Sequence, residues 1–309
     1  MADKLPFYLV DAFAERPFRG NPAGVVFDAD ELSDGQMQWI AREINASETA
    51  FISRANDLHR PTRLQWFTPA VEVGFCGHAT LAAAHALDES GCLGGMLSRP
   101  DAILPFDTAA GELGLQMEEL PAPEARKIWW LQMPAPGLTP DKTNPVRTCE
   151  LLGLPPEALN AEFPPTRTRD DDVIYVVKDW QSLMEMQPRF AELGAWCRKH
   201  QIRGICVATL ATLSDAVDVQ SRFFAPAVGV DEDPVTGSVH GPLAAFLTDC
   251  GAVTSVDGRS SLFCLQGRPG DRTGVVRALT QAKPDGYEVS IGGSCFTTLV
   301  GEVCVPPRE

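Results

Sequence analysis

Two stretches of this chain repeat one order of apolar and polar positions. Phe67–Leu87 reads FTPAVEVGFCGHATLAAAHAL, and Phe224–Leu247 reads FAPAVGVDEDPVTGSVHGPLAAFL. Phe67, Pro69, Ala70, Val71, Val73, Gly77, Ala84 and Leu87 match Phe224, Pro226, Ala227, Val228, Val230, Gly237, Ala244 and Leu247 once three residues are inserted before the second glycine. Each copy reads as a strand end, a tight glycine turn and an apolar helix, so the spacing implies a long-period duplication. The helix Ala79–Leu87 is alanine-rich on all sides, and a helix without a polar face is a buried one.

The rest of the pattern fills in around these copies. Leu5–Phe13 and Ala23–Phe27 read as strands on either side of the turn signals RPFRGNP. Ser33 is a candidate N-cap, and Met37, Ile40, Ala41 and Ile44 at helical spacing predict a helix over Asp34–Ile44, ending near Asn45. Strands follow at Ala50–Ile52 and Thr62–Phe67, a hairpin over Ile103–Met117 and a strand over Lys127–Met133. Leu138–Arg169 is proline-rich and irregular apart from a short helix near Val146–Leu152. Val173–Val177, Gly204–Leu210 and Val217–Phe224 read as strands, Arg189–His200 and Leu243–Leu247 as helices. Short strands close the chain within Ser261–Gln281 and Tyr287–Val305. Many strands around few helices argue for an α+β fold of two similar domains, each a mostly antiparallel curled, barrel-like sheet around its own helix. The Pro- and Glu-rich Glu118–Ala125 is the expected boundary, giving domains 1–122 and 123–309, with a terminal strand near 295–306 as a candidate to complete the first.

Composition narrows the class. A chain of 309 residues exceeds one core and fits two. Its net charge of −15 argues against nucleic acid and against an anionic membrane surface as partners. No apolar run approaches the roughly 20 residues of a membrane span. The first residues read as a strand rather than a signal peptide. Nine cysteines without a Cys-x-x-Cys pair read as reduced thiols of a cytoplasmic protein. There is no GxGxxG or GxxxxGK[ST] phosphate loop.

The candidate chemistry gathers at the two turns. Gly77 with His78, and Gly237 with Ser238, each open a helix whose N-terminal amides and partial positive charge suit a carboxylate, or else the glycines serve only tight turns and Ser238 is an ordinary cap. Glu48 leads into an apolar strand, where partial desolvation raises a carboxyl pKa and suits a general acid or base; a solvated glutamate is the alternative. His78 reads as a proton shuttle or a packed histidine, and Asp233, in the acidic turn Asp231-Glu232-Asp233, as a proton holder or exposed surface. His85 reads as packed. Cys76-x-His78 has no further ligands beside it in the sequence, and His59, His200 and His240 form no ligand spacing, so no metal is expected.

VDAF at Val10–Phe13, RGNPAGVV at Arg19–Val26, NASETAF at Asn45–Phe51, WFTPAVEVGFCGHATLAAAHAL at Trp66–Leu87 and FFAPAVGVDEDPVTGSVHG at Phe223–Gly241, in that order, resemble the phenazine-biosynthesis PhzF-like family, which shares its fold with diaminopimelate epimerase and proline racemase. The resemblance implies a cofactor-free isomerase that moves a proton between carbons of a small carboxylate. It further implies an active site in an inter-domain cleft and a homodimer. By match, Glu48 is the implied catalytic base, with His78, Asp233 and Ser238 as acid, relay and substrate-binding groups. Gly77, Gly237, Cys76 and Thr236 lie beside the substrate in the same implied site. The phenazine enzyme of this family acts on trans-2,3-dihydro-3-hydroxyanthranilate; the resemblance supports the reaction type ahead of that substrate. Racemases of the fold carry a cysteine before each glycine turn, whereas here Cys76 is matched by Thr236, whose hydroxyl is too weak an acid to replace a thiolate. One-carboxylate isomerisation is therefore expected ahead of an epimerase or racemase, and ahead of a non-catalytic ligand-binding protein.

Overall fold

The computed structural model describes residues 3–53, 61–93, 99, 102–121 and 126–308. The chain divides into two compact units, Met1–Gln132 with Gly292–Glu309, and Met133–Ile291. Residues 122–125 of the expected boundary, and His59, lie outside the described residues.

In the first unit, β1 (Lys4–Ala12) lies between β2 (Asn21–Val26) and the last strand, β18 (Cys295–Cys304), antiparallel to both. Gly20 makes the turn into β2 close: its φ is +69° and a Cβ there would stand 2.1 Å from the Ala12 carbonyl oxygen. Helix α1 (Asp34–Ile44) starts at Ser33 with a reciprocal capping box to Gln36 and stops at Asn45, which takes the left-handed conformation at φ 54°. The chain then enters β3 (Glu48–Ser53), parallel to β2, and returns through β4 (Thr62–Phe67) and the short β5 (Glu72–Val73). Helix α2 (Gly77–Glu89) follows, then β6 (Ile103–Thr108), parallel to β4, and the antiparallel β7 (Gly111–Glu119) and β8 (Lys127–Met133). As its even alanine distribution predicts, α2 is buried almost all round from Gly77 to Leu87. It packs on β1, β2 and β3.

The second unit opens with β9 (Thr139–Pro140), α3 (Pro145–Leu152), β10 (Thr166–Arg167) and β11 (Asp172–Val176). Helices α4 (Trp180–Glu185) and α5 (Phe190–His200) lead into β12 (Gly204–Thr209), parallel to β11, and then β13 (Val219–Ala225) and β14 (Val230–Asp233). Helix α6 (Gly237–Asp249) precedes β15 (Arg259–Gln266), β16 (Gly274–Lys283) and β17 (Gly286–Gly293). Two elements differ from their expected form. Pro242 hides the first turns of α6 from a reading that begins at Leu243, because its missing N–H affects only one early bond and the helix runs through it. Helix α4 is too short to carry a periodic signal; Asp179 caps it through Ser182 N–H at 2.7 Å.

Each unit repeats one pairing order. β1–β2 antiparallel, β2–β3 parallel, β3–β4 and β4–β5 antiparallel, β4–β6 parallel and β6–β7 antiparallel correspond to β10–β11, β11–β12, β12–β13, β13–β14, β13–β15 and β15–β16. The fold is thus mixed α+β and mainly antiparallel. The registers sharpen the match: Glu48 stands opposite Ala23 and Thr49 opposite Phe67, while Gly204 stands opposite Asp172 and Ile205 opposite Phe224. Since Phe67 and Phe224 correspond, so do Glu48 and Gly204, Ala23 and Asp172, and Ser47 and Arg203.

Gly204 is glycine for want of room, since a Cβ there would lie 2.1 Å from the ring of the buried Phe223. Gly204→Ala is expected to lower stability by about 1–3 kcal/mol. Urea unfolding reads this directly, and an unchanged midpoint would mean that the ring moves aside without cost.

Candidate active site

Three motifs converge on one carboxylate in the first unit. Asn45 ends α1, Ser47 donates to Asn21 Oδ1 at 2.9 Å, and Glu48 begins β3, so NASETAF is tied to RGNP. Cys76 occupies the N-cap of α2, and His78 is the helix's second residue, 8% exposed. His78 Nε2 lies 3.2 Å from Glu48 Oε2, and its Nδ1 lies 3.4 Å from Cys76 Sγ. The Cys76 thiol has one proton to give, to Nδ1 or to the Glu48 carboxylate, and the protonated nitrogen of His78 follows from that choice. Burial pushes the Glu48 carboxyl up to about 7, and a hydrogen bond from Cys76 opposes part of that rise. A group with that pKa both accepts and returns a proton near neutrality.

Glu48 also supplies the third ligand atom that the Cys76-x-His78 spacing lacks. The three groups lie within 4.8 Å of one another, and no further histidine, cysteine or acidic group joins them among the described residues. A carboxylate, a thiol and an imidazole form a set that suits a zinc-like ion once deprotonated, whereas burial here favours the neutral acid.

In the second unit the acidic turn is sorted by its neighbours. Arg222, 1% exposed, donates to both carboxylate oxygens of Glu232 at 2.8 and 2.9 Å and to the Leu183 and Met186 carbonyls at 3.0 and 3.2 Å. Asp231 is exposed and Asp233 half-buried. Thr236, at the N-cap of α6, donates its hydroxyl to Asp233 Oδ2 rather than capping the helix. Buried Gln266 accepts from Thr236 N–H at 2.9 Å and donates to the Asp233 carbonyl at 2.7 Å. His240, one turn into α6, sits 2.7 Å from the Thr236 carbonyl and 3.0 Å from Ser221 Oγ; burial lowers its pKa to about 4, so it is neutral. Ser238 is the second residue of α6 and not its cap, and its Oγ accepts from Arg203 Nη2 at 3.0 Å.

The family profile of PhzC-PhzF, the phenazine biosynthesis-like proteins, matches residues 10–301. The chain belongs to that family. An uncharacterized isomerase of Pseudomonas aeruginosa is 39% identical over 241 residues, which are 77% of this chain and 79% of its own. An uncharacterized isomerase of Clostridium acetobutylicum is 30% identical over 313 residues, 98% of this chain and 99% of its own. Among solved structures, the Bacillus anthracis phenazine biosynthesis protein of the PhzF family superposes with a TM-score of 0.87 at 26% identity, covering 98% of this chain and all of its own. The PhzC-PhzF chain is therefore an enzyme of a family whose relatives are named isomerases.

Of the residues singled out in the sequence, the structure brings Glu48, Cys76, Gly77 and His78 together in the first unit and Asp233, Thr236, Gly237 and Ser238 together in the second. His85 is mostly buried beside Glu89, and burial lowers its pKa, consistent with a packed residue. Sequence reasoning missed Asp172, Arg203, Arg222 and Gln266, which hold the second group. Only strand register reveals the first two, because it sets Arg203 at the position Ser47 fills before Glu48. All nine cysteines are free, and no described helix is long and apolar enough to cross a membrane.

Proposed function

We infer that the chain is an isomerase in which Glu48 removes a proton from one carbon of a small carboxylate and returns it to another. The observation that carries this reading is a carboxyl group whose burial raises its pKa to about 7, with His78 and Cys76 beside it. A free carboxylate near pKa 4 is too weak a base for a carbon acid, whereas desolvation strengthens it without abolishing its charged form. His78 steadies whichever charge state Glu48 adopts by offering the Nε2 side of its ring. Asp233 and Ser238 serve as substrate-facing groups in this reading, supported by their place at the α6 N-terminus and by their match to the family motif. The substrate class is read from the α2 N-terminal amides beside Glu48, which favour an anion. Incubating the chain in heavy water with unsaturated and cyclic carboxylates is expected to give deuterium uptake at carbon for at least one of them. A panel with no uptake would sink the reading.

A two-thiol epimerisation is favoured only by Cys76 at the α2 cap. The corresponding Thr236 hydroxyl is spent on Asp233. Cys76→Ala is accordingly expected to keep its exchange rate within about tenfold of the wild type, against the 10²–10⁴-fold that a lost acid–base group costs. A larger loss would move the chemistry to the thiol.

A further inference from the structure

Ser238 is bonded in a way that fixes what it offers to a ligand. Arg203 Nε donates to Asp172 Oδ1 at 2.9 Å and its Nη2 donates to Asp172 Oδ2, a two-point contact that sets the plane of the guanidinium. The same Nη2 donates its other proton to Ser238 Oγ at 3.0 Å. A guanidinium has no lone pair to give, so Ser238 accepts in that bond, and its own hydroxyl proton is left to point elsewhere. Among the described residues the Ser238 hydroxyl makes no other bond. We propose that Arg203, locked by Asp172, is a positioning residue that makes Ser238 an obligate hydrogen-bond donor, so that the group meeting Ser238 on the substrate is an acceptor oxygen of its carboxylate.

Three further observations favour this assignment over a purely structural ion pair. Asp172 is 1% exposed, and burial raises its pKa to about 6 even beside Arg203, so the pair gives up much of its attraction to desolvation. The fold does not need it, since the corresponding places in the first unit hold Ala23 and Ser47. A cation at a helix N-terminus is also the disfavoured sign for the helix dipole, and α6 carries no acidic residue in its first turn and no side-chain cap. Asp170 and Asp233 also lie close enough to act on the charge of Arg203. An acceptor oxygen at Ser238 completes the hydroxyl and suits the uncapped amides beside it.

The proposal rests on the reading of Ser238 as substrate-facing, and benzoate binding to the full chain tests it without turnover. The probe is followed by thermal shift, with benzamide as its uncharged counterpart. Ser238→Ala and Arg203→Met are each expected to weaken benzoate about tenfold, and the double variant no more than either one, while benzamide, whose carbonyl accepts but carries no charge, loses less. Arg203→Lys, which keeps a donor, is expected to recover part of the affinity. Since Arg203→Met leaves a buried carboxylate unpaired, Asp172→Leu/Arg203→Met, with both charges removed, gives the same reading if the single variant fails to fold. Additive losses, full affinity in the Arg203 variants, or no benzoate binding by the wild type would each overturn the proposal. Arg203-dependent benzoate binding in a chain that never takes up deuterium would sink the isomerase reading alone.

Discussion

Glu48→Gln is expected to make the folded chain more stable above about pH 7 and, in the same variant, to remove its proton-transfer activity. The stability gain comes from the raised pKa. Glu48 titrates at about 7 in the fold against a reference of 4.5, so the fold binds its proton more tightly than the unfolded chain does. The neutral acid is therefore favoured by folding, and stability is highest below the unfolded pKa. It falls as pH rises towards the folded pKa and levels off above it. A shift of that size corresponds to at most about 3 kcal/mol. Glutamine removes the charge and with it this pH-dependent loss, so the variant should gain about 1–3 kcal/mol at about pH 8 and little at about pH 4. Activity should drop by about 10²–10⁴-fold, the usual contribution of one acid–base group. Urea unfolding at the two pH values checks the first half. Equal stability changes at both would mean that Glu48 is solvated, and the reading of its chemistry would lose its basis.

The second large effect is expected at Arg222, far from any acid–base role. Its guanidinium is nearly inaccessible and holds Glu232 together with two carbonyls of the segment around α4. Arg222→Ala leaves a partly buried carboxylate and two carbonyls without their donor, a change that costs about 3–5 kcal/mol. The face of Phe224, whose centroid is 5.0 Å from the Arg222 Cζ, loses its cation as well. Because Glu232 immediately precedes Asp233, turnover should fall even in the fraction that folds. Arg222→Met/Glu232→Leu, which removes both charges, should recover much of the stability but not the turnover. Denaturant unfolding of the two variants separates the effects, and a loss under about 1 kcal/mol in Arg222→Ala would show that the clamp is not needed.

The contrast between Glu48 and Arg222 shows where the chain's meaning was legible. Glu48 was readable because a charged residue opens an apolar strand, and because the strand belongs to a motif whose neighbours, Asn45 and Ser47, have visible local jobs as a helix stop and a tie to Asn21. The α2 helix was readable from alanines with no polar face, and the duplication from apolar positions around two glycines. Arg222 lies in a strand where a lone arginine among phenylalanines looks like an interruption; only pairing with β14 shows that it faces Glu232. Asp172 and Arg203 were hidden for the same reason. Each belongs to a long-range ladder, and the register that makes them neighbours cannot be read from either segment alone. The proline of α6 misled by a different route, since a local breaker was overridden by a helix buried on nearly every side.

The most direct test of the central claim sets Glu48→Gln beside Cys76→Ala in one assay, the rate of solvent-deuterium uptake into the carboxylate that the wild type labels. A carboxylate mechanism predicts loss of about 10²–10⁴-fold in Glu48→Gln with a change under about tenfold in Cys76→Ala. Uptake that survives in Glu48→Gln and vanishes in Cys76→Ala would contradict it.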